Sequence, residues 1–133
     1  MHRRAFVLLA AAATAAPLFG ATNVLAKAFS AYQAESFKKL LAAGGPVVVH
    51  VHAEWCPVCH AQIPVMARVL AQPAYRNVQA VRVNFDTDKM FLTDFKVVRQ
   101  STIVIYKGGK EIARLSYDTD PARIEQTLER AIS

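Results

Sequence analysis

The stretch His50–His60 reads HVHAEWCPVCH and holds both cysteines of the chain and three of its four histidines. Cys56 and Cys59 stand three positions apart, a spacing that lets two sulfurs on one turn of a helix close a small disulfide ring. A bond that spans two intervening residues hardly restricts the unfolded chain, so the pair is a poor structural staple. The spacing therefore points to thiol–disulfide chemistry. A second chemistry is open to the same stretch: Cys56, Cys59, His52 and His60 are ligands suited to zinc or copper(I). A structural zinc site, however, calls for a second ligand pair well separated along the chain, and no Cys or His follows residue 60. Inert buried sulfur is the third option.

Exchange needs one sulfur as a thiolate. Pro57 suits the first turn of a helix, where its missing N–H costs nothing. Cys56 then falls at the helix N-terminus, where unpaired N–H groups and the helix dipole favour negative charge. Cys59 lies nearly one turn deeper on the same face. Cys56, expected to be the more exposed, takes the attacking role and Cys59 the resolving one. Trp55 is expected to shelter the pair and to form part of a docking surface.

The elements that position this stretch follow from periodicity. Phe37, Leu40 and Leu41 recur at helical spacing between Ala34 and Ala43, and Gly44-Gly45-Pro46 stops that segment. Val47 to Val51 is almost continuously apolar and β-branched, the pattern of a central strand covered on both faces. From Pro57 to Leu70 the pattern is helical, with Cys59, Ile63, Met66 and Leu70 on one face and Pro64 expected to kink it. Val78 to Phe85 alternates as a strand, and Asp86 to Phe95 reads as a short helix. Thr102 to Tyr106, the turn Lys107-Gly108-Gly109-Lys110 and Glu111 to Tyr117 form a hairpin. Asp120-Pro121 opens a last helix carrying Ile124, Leu128 and Ile132. A weak strand is expected near Phe29. This order implies an α/β fold with a mixed central sheet and helices on both faces.

The first residues read differently. A basic start with Arg3 and Arg4, an apolar run from Ala5 to Leu18, and Val24-Leu25-Ala26 have the anatomy of a secretory leader cleaved after Ala26. Residues 27–133 are the expected domain. Arg3-Arg4-Ala5-Phe6 resembles a twin-arginine signal, with His2 where Ser or Thr usually stands, so the export route is open. The chain's net charge of +6 falls to +4 without Arg3 and Arg4. The remaining basic residues are scattered, without the polybasic cluster of a nucleic-acid groove.

Pro46-Val47-Val48-Val49, Ala53-Glu54-Trp55-Cys56-Pro57-Val58-Cys59, Pro64 and the hairpin Thr102–Gly109 together resemble the thioredoxin family over essentially all of residues 29–132. The leader and small size look like periplasmic members of it. The resemblance implies a thioredoxin fold and a protein thiol–disulfide oxidoreductase needing no organic cofactor. Its implied partners are cysteine-bearing proteins and a membrane electron donor or acceptor, in a periplasm. Pro57-Val58 departs from the Gly-Pro of cytosolic thioredoxin; Pro57 points towards oxidants, whereas the wider likeness favours a reductase. His50 stands where the family has a buried acid, so it either moves protons for Cys59 or is a neutral, hydrogen-bonded core residue. His52 is expected to fill space, and His60 to lie near the helix surface. Ser101 stands where the family places a cis-proline. The Gln100–Ser101 bond is expected to be trans, because a non-proline cis bond costs about 2.5–4 kcal/mol, and Ser101 adds an N–H and a hydroxyl near the sulfurs. That departure keeps two alternatives in view: a metal-binding thioredoxin-fold protein, and a non-catalytic binding module.

Overall fold

The computed structural model describes residues 29–133; the leader expected over residues 1–26 lies outside the described residues. The elements run β1 (Ser30–Ala31), α1 (Ala34–Ala43), β2 (Val47–His52), α2 (Pro57–Leu70), a 3-10 turn (Pro73–Tyr75), β3 (Gln79–Asn84), α3 (Lys89–Asp94), β4 (Thr102–Lys107), β5 (Lys110–Ser116) and α4 (Pro121–Glu129). The strands form one sheet in the order β1-β3-β2-β4-β5. β3 runs parallel to β1 and β2, whereas β4 is antiparallel to β2 and β5. Every residue of β2 is buried. That is why its sequence is a β-branched run rather than an alternation: both faces of a central strand are covered.

Alternation on β2 nonetheless sorts its side chains. Val47, Val49 and Val51 join Phe37 of α1, Phe91 of α3, and Val81, Val83, Val104 and Tyr106 on one face. Phe37 is the hub there, with Tyr32, Phe91, Phe95 and Tyr106 meeting its ring edge-on at 5.1–5.6 Å between centroids, a preferred aromatic geometry. On the other face Val48, Ile103 and Ile105 meet Met66, Val69 and Leu70 of α2 and Ile124 and Leu128 of α4. Sequence periodicity misplaced two residues. Ile132 is 40% exposed because α4 ends at Glu129, and Ala131 is buried in its place. On α2 the buried stripe runs through Gln62 and Val69, leaving Ile63 only half-buried.

Turn chemistry sets the ends. Gly44 closes α1 in the left-handed conformation (φ 74°), its N–H bonding Leu41 O at 3.1 Å. Gly108 and Gly109, φ 63° and 76°, make the two-residue hairpin turn, and a side chain on Gly109 would sit 3.0 Å from Leu41 O. Asp120 caps α4 through Ala122 N–H at 2.9 Å. At the sheet's margins, β1 is two residues long, and β5 carries Lys110, Glu111 and Arg114. The Arg114 guanidinium bonds Lys96 O and Phe95 O at 2.8 and 2.9 Å and pairs with Glu111.

Phe37→Ala empties the aromatic hub and is expected to cost about 3–5 kcal/mol. Urea unfolding of the two proteins measures it, and a loss below about 1 kcal/mol contradicts the hub assignment.

Candidate active site

β2 ends at His52, and Cys56 N–H turns back onto Ala53 O at 3.1 Å before α2 begins at Pro57. Cys56 is the N-cap, with extended backbone (φ −94°, ψ 108°), and its Sγ accepts a hydrogen bond from Cys59 N–H at 3.1 Å. A sulfur takes the place that a serine or aspartate oxygen holds in ordinary helix caps. The cap places the Cys56 sulfur where the helix's unpaired N–H donors converge.

The two sulfurs are not separated by exposure, which corrects the expectation that Cys56 is the more accessible. Cys56 is 1% and Cys59 0% exposed, and they share a small apolar cluster with Ala53, Val58 and Phe85. A protein disulfide reaches Cys56 only by displacing part of that cover. The sulfurs differ in partners instead. Burial pushes the Cys59 thiol up to about 12, with Cys56 adding to the effect, while the N–H groups of Ala53 and Ser101 pull the other way. The Cys59 thiol faces Val51 O at 3.9 Å. Trp55 is 58% exposed and is tied across the site by its Nε1–H to both Asp86 carboxylate oxygens, at 3.2 and 3.0 Å. Pro57 is exposed and Val58 half-buried beside it.

Ser101 closes the other side. No cis peptide bond occurs among the described residues, so Gln100–Ser101 is trans, as expected. The chain turns there by a left-handed Ser101, φ 59°, followed across the loop by a left-handed Tyr117, φ 56°. Each such residue costs on the order of 1–3 kcal/mol and persists only where surroundings fix it. The fixing bonds are visible. Ser101 N–H donates to Val51 O at 2.8 Å, the carbonyl that Cys59 also faces, and Ser101 O accepts from Tyr117 N–H at 3.1 Å. The Ser101 hydroxyl turns to Gln100 O at 2.5 Å. The backbone N–H, absent from proline, is therefore the new donor beside the sulfurs.

Gln62, which sequence reading missed, ties the site together. It is fully buried on α2, three residues past Cys59, and its amide N–H groups donate to Ser101 O at 3.0 Å and Asp118 O at 2.9 Å. Those two carbonyls fix which end of the amide is nitrogen. The Gln62 oxygen therefore accepts from His50 Nε2 at 2.9 Å, which places the His50 proton on Nε2 and leaves a lone pair on Nδ1. His50 is fully buried, and burial pushes it down to about 4, partly offset by the Gln62 bond. Its geometry is that of a neutral, hydrogen-bonded core residue. A polar residue in an otherwise apolar helix stripe was the only signal for Gln62, and hydrophobic periodicity skips polar residues. His52 and His60 do not turn to the sulfurs: His52 Nε2 meets Glu54 Oε1 at 3.0 Å, and His60 Nε2 meets Glu54 O at 2.7 Å. The mixed Cys–His metal set that the sequence permits is not assembled.

The thioredoxin family profile matches residues 28–130. The chain belongs to the thioredoxin family. Among solved structures it is similar to Trxlp from Edwardsiella tarda, with 40% identity and a TM-score of 0.71 over 74% of this chain and 98% of that one. Malassezia sympodialis thioredoxin, at 21% identity and a TM-score of 0.70, shares the fold over 77% of this chain and 92% of its own. Thioredoxin 1 of Nostoc is 28% identical over 85 residues, 64% of this chain and 78% of that protein. The α/β thioredoxin fold and a thiol–disulfide oxidoreductase class follow for this thioredoxin-family chain.

Two outcomes test the supporting residues. Restoring the family proline by Ser101→Pro is expected to destabilise the domain by more than about 2 kcal/mol, because proline fixes φ near −65° and removes the N–H to Val51 O. Ser101→Gly relieves the left-handed strain and is expected to stay within about 1 kcal/mol of wild type by urea unfolding. A stable, trans-configured proline variant contradicts the Ser101 geometry. For His50, whose ordinary value of 6.5 falls to about 4 in the fold, the unfolded chain binds the proton first. Its contribution is complete above about pH 6.5 and is lost as pH falls towards 4, on the order of 3 kcal/mol in all. Urea titrations at pH 7 and pH 4.5 are expected to show a larger loss for wild type than for His50→Asn, and equal losses contradict the assignment.

Proposed function

We propose that this family member is a thiol–disulfide reductase, exported to a periplasm, that carries electrons to cysteine-bearing proteins from a membrane-embedded dithiol donor. The observation that carries the reading is the capped sulfur: Cys59 N–H on Cys56 Sγ at 3.1 Å, with Cys59 one turn in. In the forward step the Cys56 thiolate attacks one sulfur of a substrate disulfide, the substrate S–S bond breaks, and its other sulfur leaves as a thiolate. Cys59 then attacks Cys56 Sγ, giving up its proton to a departing substrate thiolate. The substrate gains two electrons and is released as a dithiol, and a Cys56–Cys59 disulfide remains for the donor to reduce. Ala53, Val58 and Phe85 pack about the two sulfurs, Trp55 and Pro57 are exposed next to Cys56 in the chain, and Ser101 N–H and Ala53 N–H favour the anion that Cys59 passes through.

The side chains that flank the sulfurs support the reductase direction. A strong oxidant owes its potential to a specially stabilised dithiol form. Here Val58, between the cysteines, has no side-chain donor, and His60 is bonded to Glu54 O. Export rests on the apolar, Arg-led segment before residue 27, and the membrane partner on the need for a reductant in an oxidising compartment.

Equilibration of the leaderless protein with glutathione tests the direction. The expected potential lies nearer the about −270 mV of thioredoxin than the about −120 mV of a strong periplasmic oxidant, and a value above about −180 mV overturns the reductase reading. In insulin reduction, Cys56→Ser is expected to abolish turnover, and Cys59→Ser to accumulate mixed disulfides through Cys56. Retained turnover in Cys56→Ser removes the assigned roles.

A further inference from the structure

The histidines beside the cysteines form a group of their own. His52, at the end of β2, is 4% exposed, and its Nε2 lies 3.0 Å from Glu54 Oε1. His60, on the first turns of α2, bonds the Glu54 carbonyl through Nε2 at 2.7 Å. A carbonyl only accepts, so the His60 proton is on Nε2 and its Nδ1 bears the lone pair. A backbone carbonyl that fixes the tautomer and ring orientation in this way is the usual support behind a metal-binding imidazole. One ligand atom from each of His52, Glu54 and His60 lies within 4.8 Å of the other two, and the two rings stand 5.1 Å apart, edge to face.

We propose that His52, Glu54 and His60 form a binding site for a borderline divalent cation, with Zn2+ the best match, separate from the redox sulfurs. Two imidazoles and one carboxylate are the donor set of open three-ligand zinc sites. Metal–ligand bonds of about 2.0–2.2 Å put neighbouring ligands about 3.3 Å apart in tetrahedral geometry, close to the His52–Glu54 separation. The cation replaces the proton those two side chains share. The His52 proton moves to Nδ1, a buried nitrogen without a partner, which costs the site part of its affinity. His52 supplies rigidity, because the sheet holds it. Glu54 and His60 are exposed and able to draw in. The fourth position faces water or a donor from another molecule. Glu54 and His60 bracket Trp55 and Cys56 in the chain, so a cation held here lies beside the surface that a disulfide partner meets.

Zinc titration of the Cys56→Ser/Cys59→Ser double variant, against a chromophoric chelator, separates this site from the thiols. The expected result is one Zn2+ per chain in the double variant. Glu54→Gln or His60→Ala added to it should each weaken binding by about tenfold or more. Cobalt(II) in the double variant should give tetrahedral d–d absorption without a thiolate charge-transfer band. Both side chains are exposed, so metal-free urea midpoints should match across the series and exclude misfolding as the cause. Zinc binding by the reduced wild type but not by the double variant assigns the metal to the sulfurs and overturns the proposal. Undiminished binding in the Glu54 and His60 variants, or a loss below tenfold, does the same by placing the ion elsewhere.

Discussion

One junction governs this molecule: the point where a strand with no exposed residue gives way, within four residues, to a helix whose cap is a sulfur. β2 is paired on both edges and covered on both faces, so it cannot shift register without exposing valines that the two cores bury. That rigidity passes to Cys56 through the turn onto Ala53 O. A loosely held cap would wander among rotamers, and its sulfur would meet the helix N–H only part of the time. Burial of the strand and chemistry of the thiol are thus one constraint seen at two scales.

The opposite wall is held by polar means. Where the family uses a proline, this chain has a left-handed serine whose N–H and C=O are both engaged. Gln62 secures that arrangement from below and places the His50 proton at the same time. Every hydrogen bond of the Gln62 side chain crosses between segments distant in sequence: β2, the loop before β4 and the loop after β5. A buried amide of this kind stabilises one arrangement of a strand and two loops, whereas removing it leaves His50 Nε2–H without its acceptor and takes a donor from Ser101 O and Asp118 O.

Much of this was legible from residue types. The β-branched run Val47–Val51, the glycine stops and the Asp120-Pro121 start are local signals, and local signals mark elements because they act through backbone preference. The cap role of Cys56 followed from Pro57 for the same reason. What escaped the sequence depended on tertiary context. Gln62 looks like any polar helix residue until a buried histidine and two loop carbonyls meet it. The burial of Cys56 depends on Phe85, twenty-nine positions away. The partnership of His52 with Glu54 and His60, in place of the sulfurs, is a matter of side-chain direction that spacing does not encode. Ile132 was misplaced because a periodic pattern continued past the point where α4 ends.

The margins of the sheet carry a consequence for how the chain behaves among its own copies. Unpaired strand edges are templates for intermolecular pairing. Here one border is a two-residue stub, too short to seed a ladder, and the other is lined by Lys110, Glu111 and an Arg114 whose guanidinium is occupied with backbone carbonyls. Along β5 those charged side chains disfavour edge-to-edge pairing with a second strand.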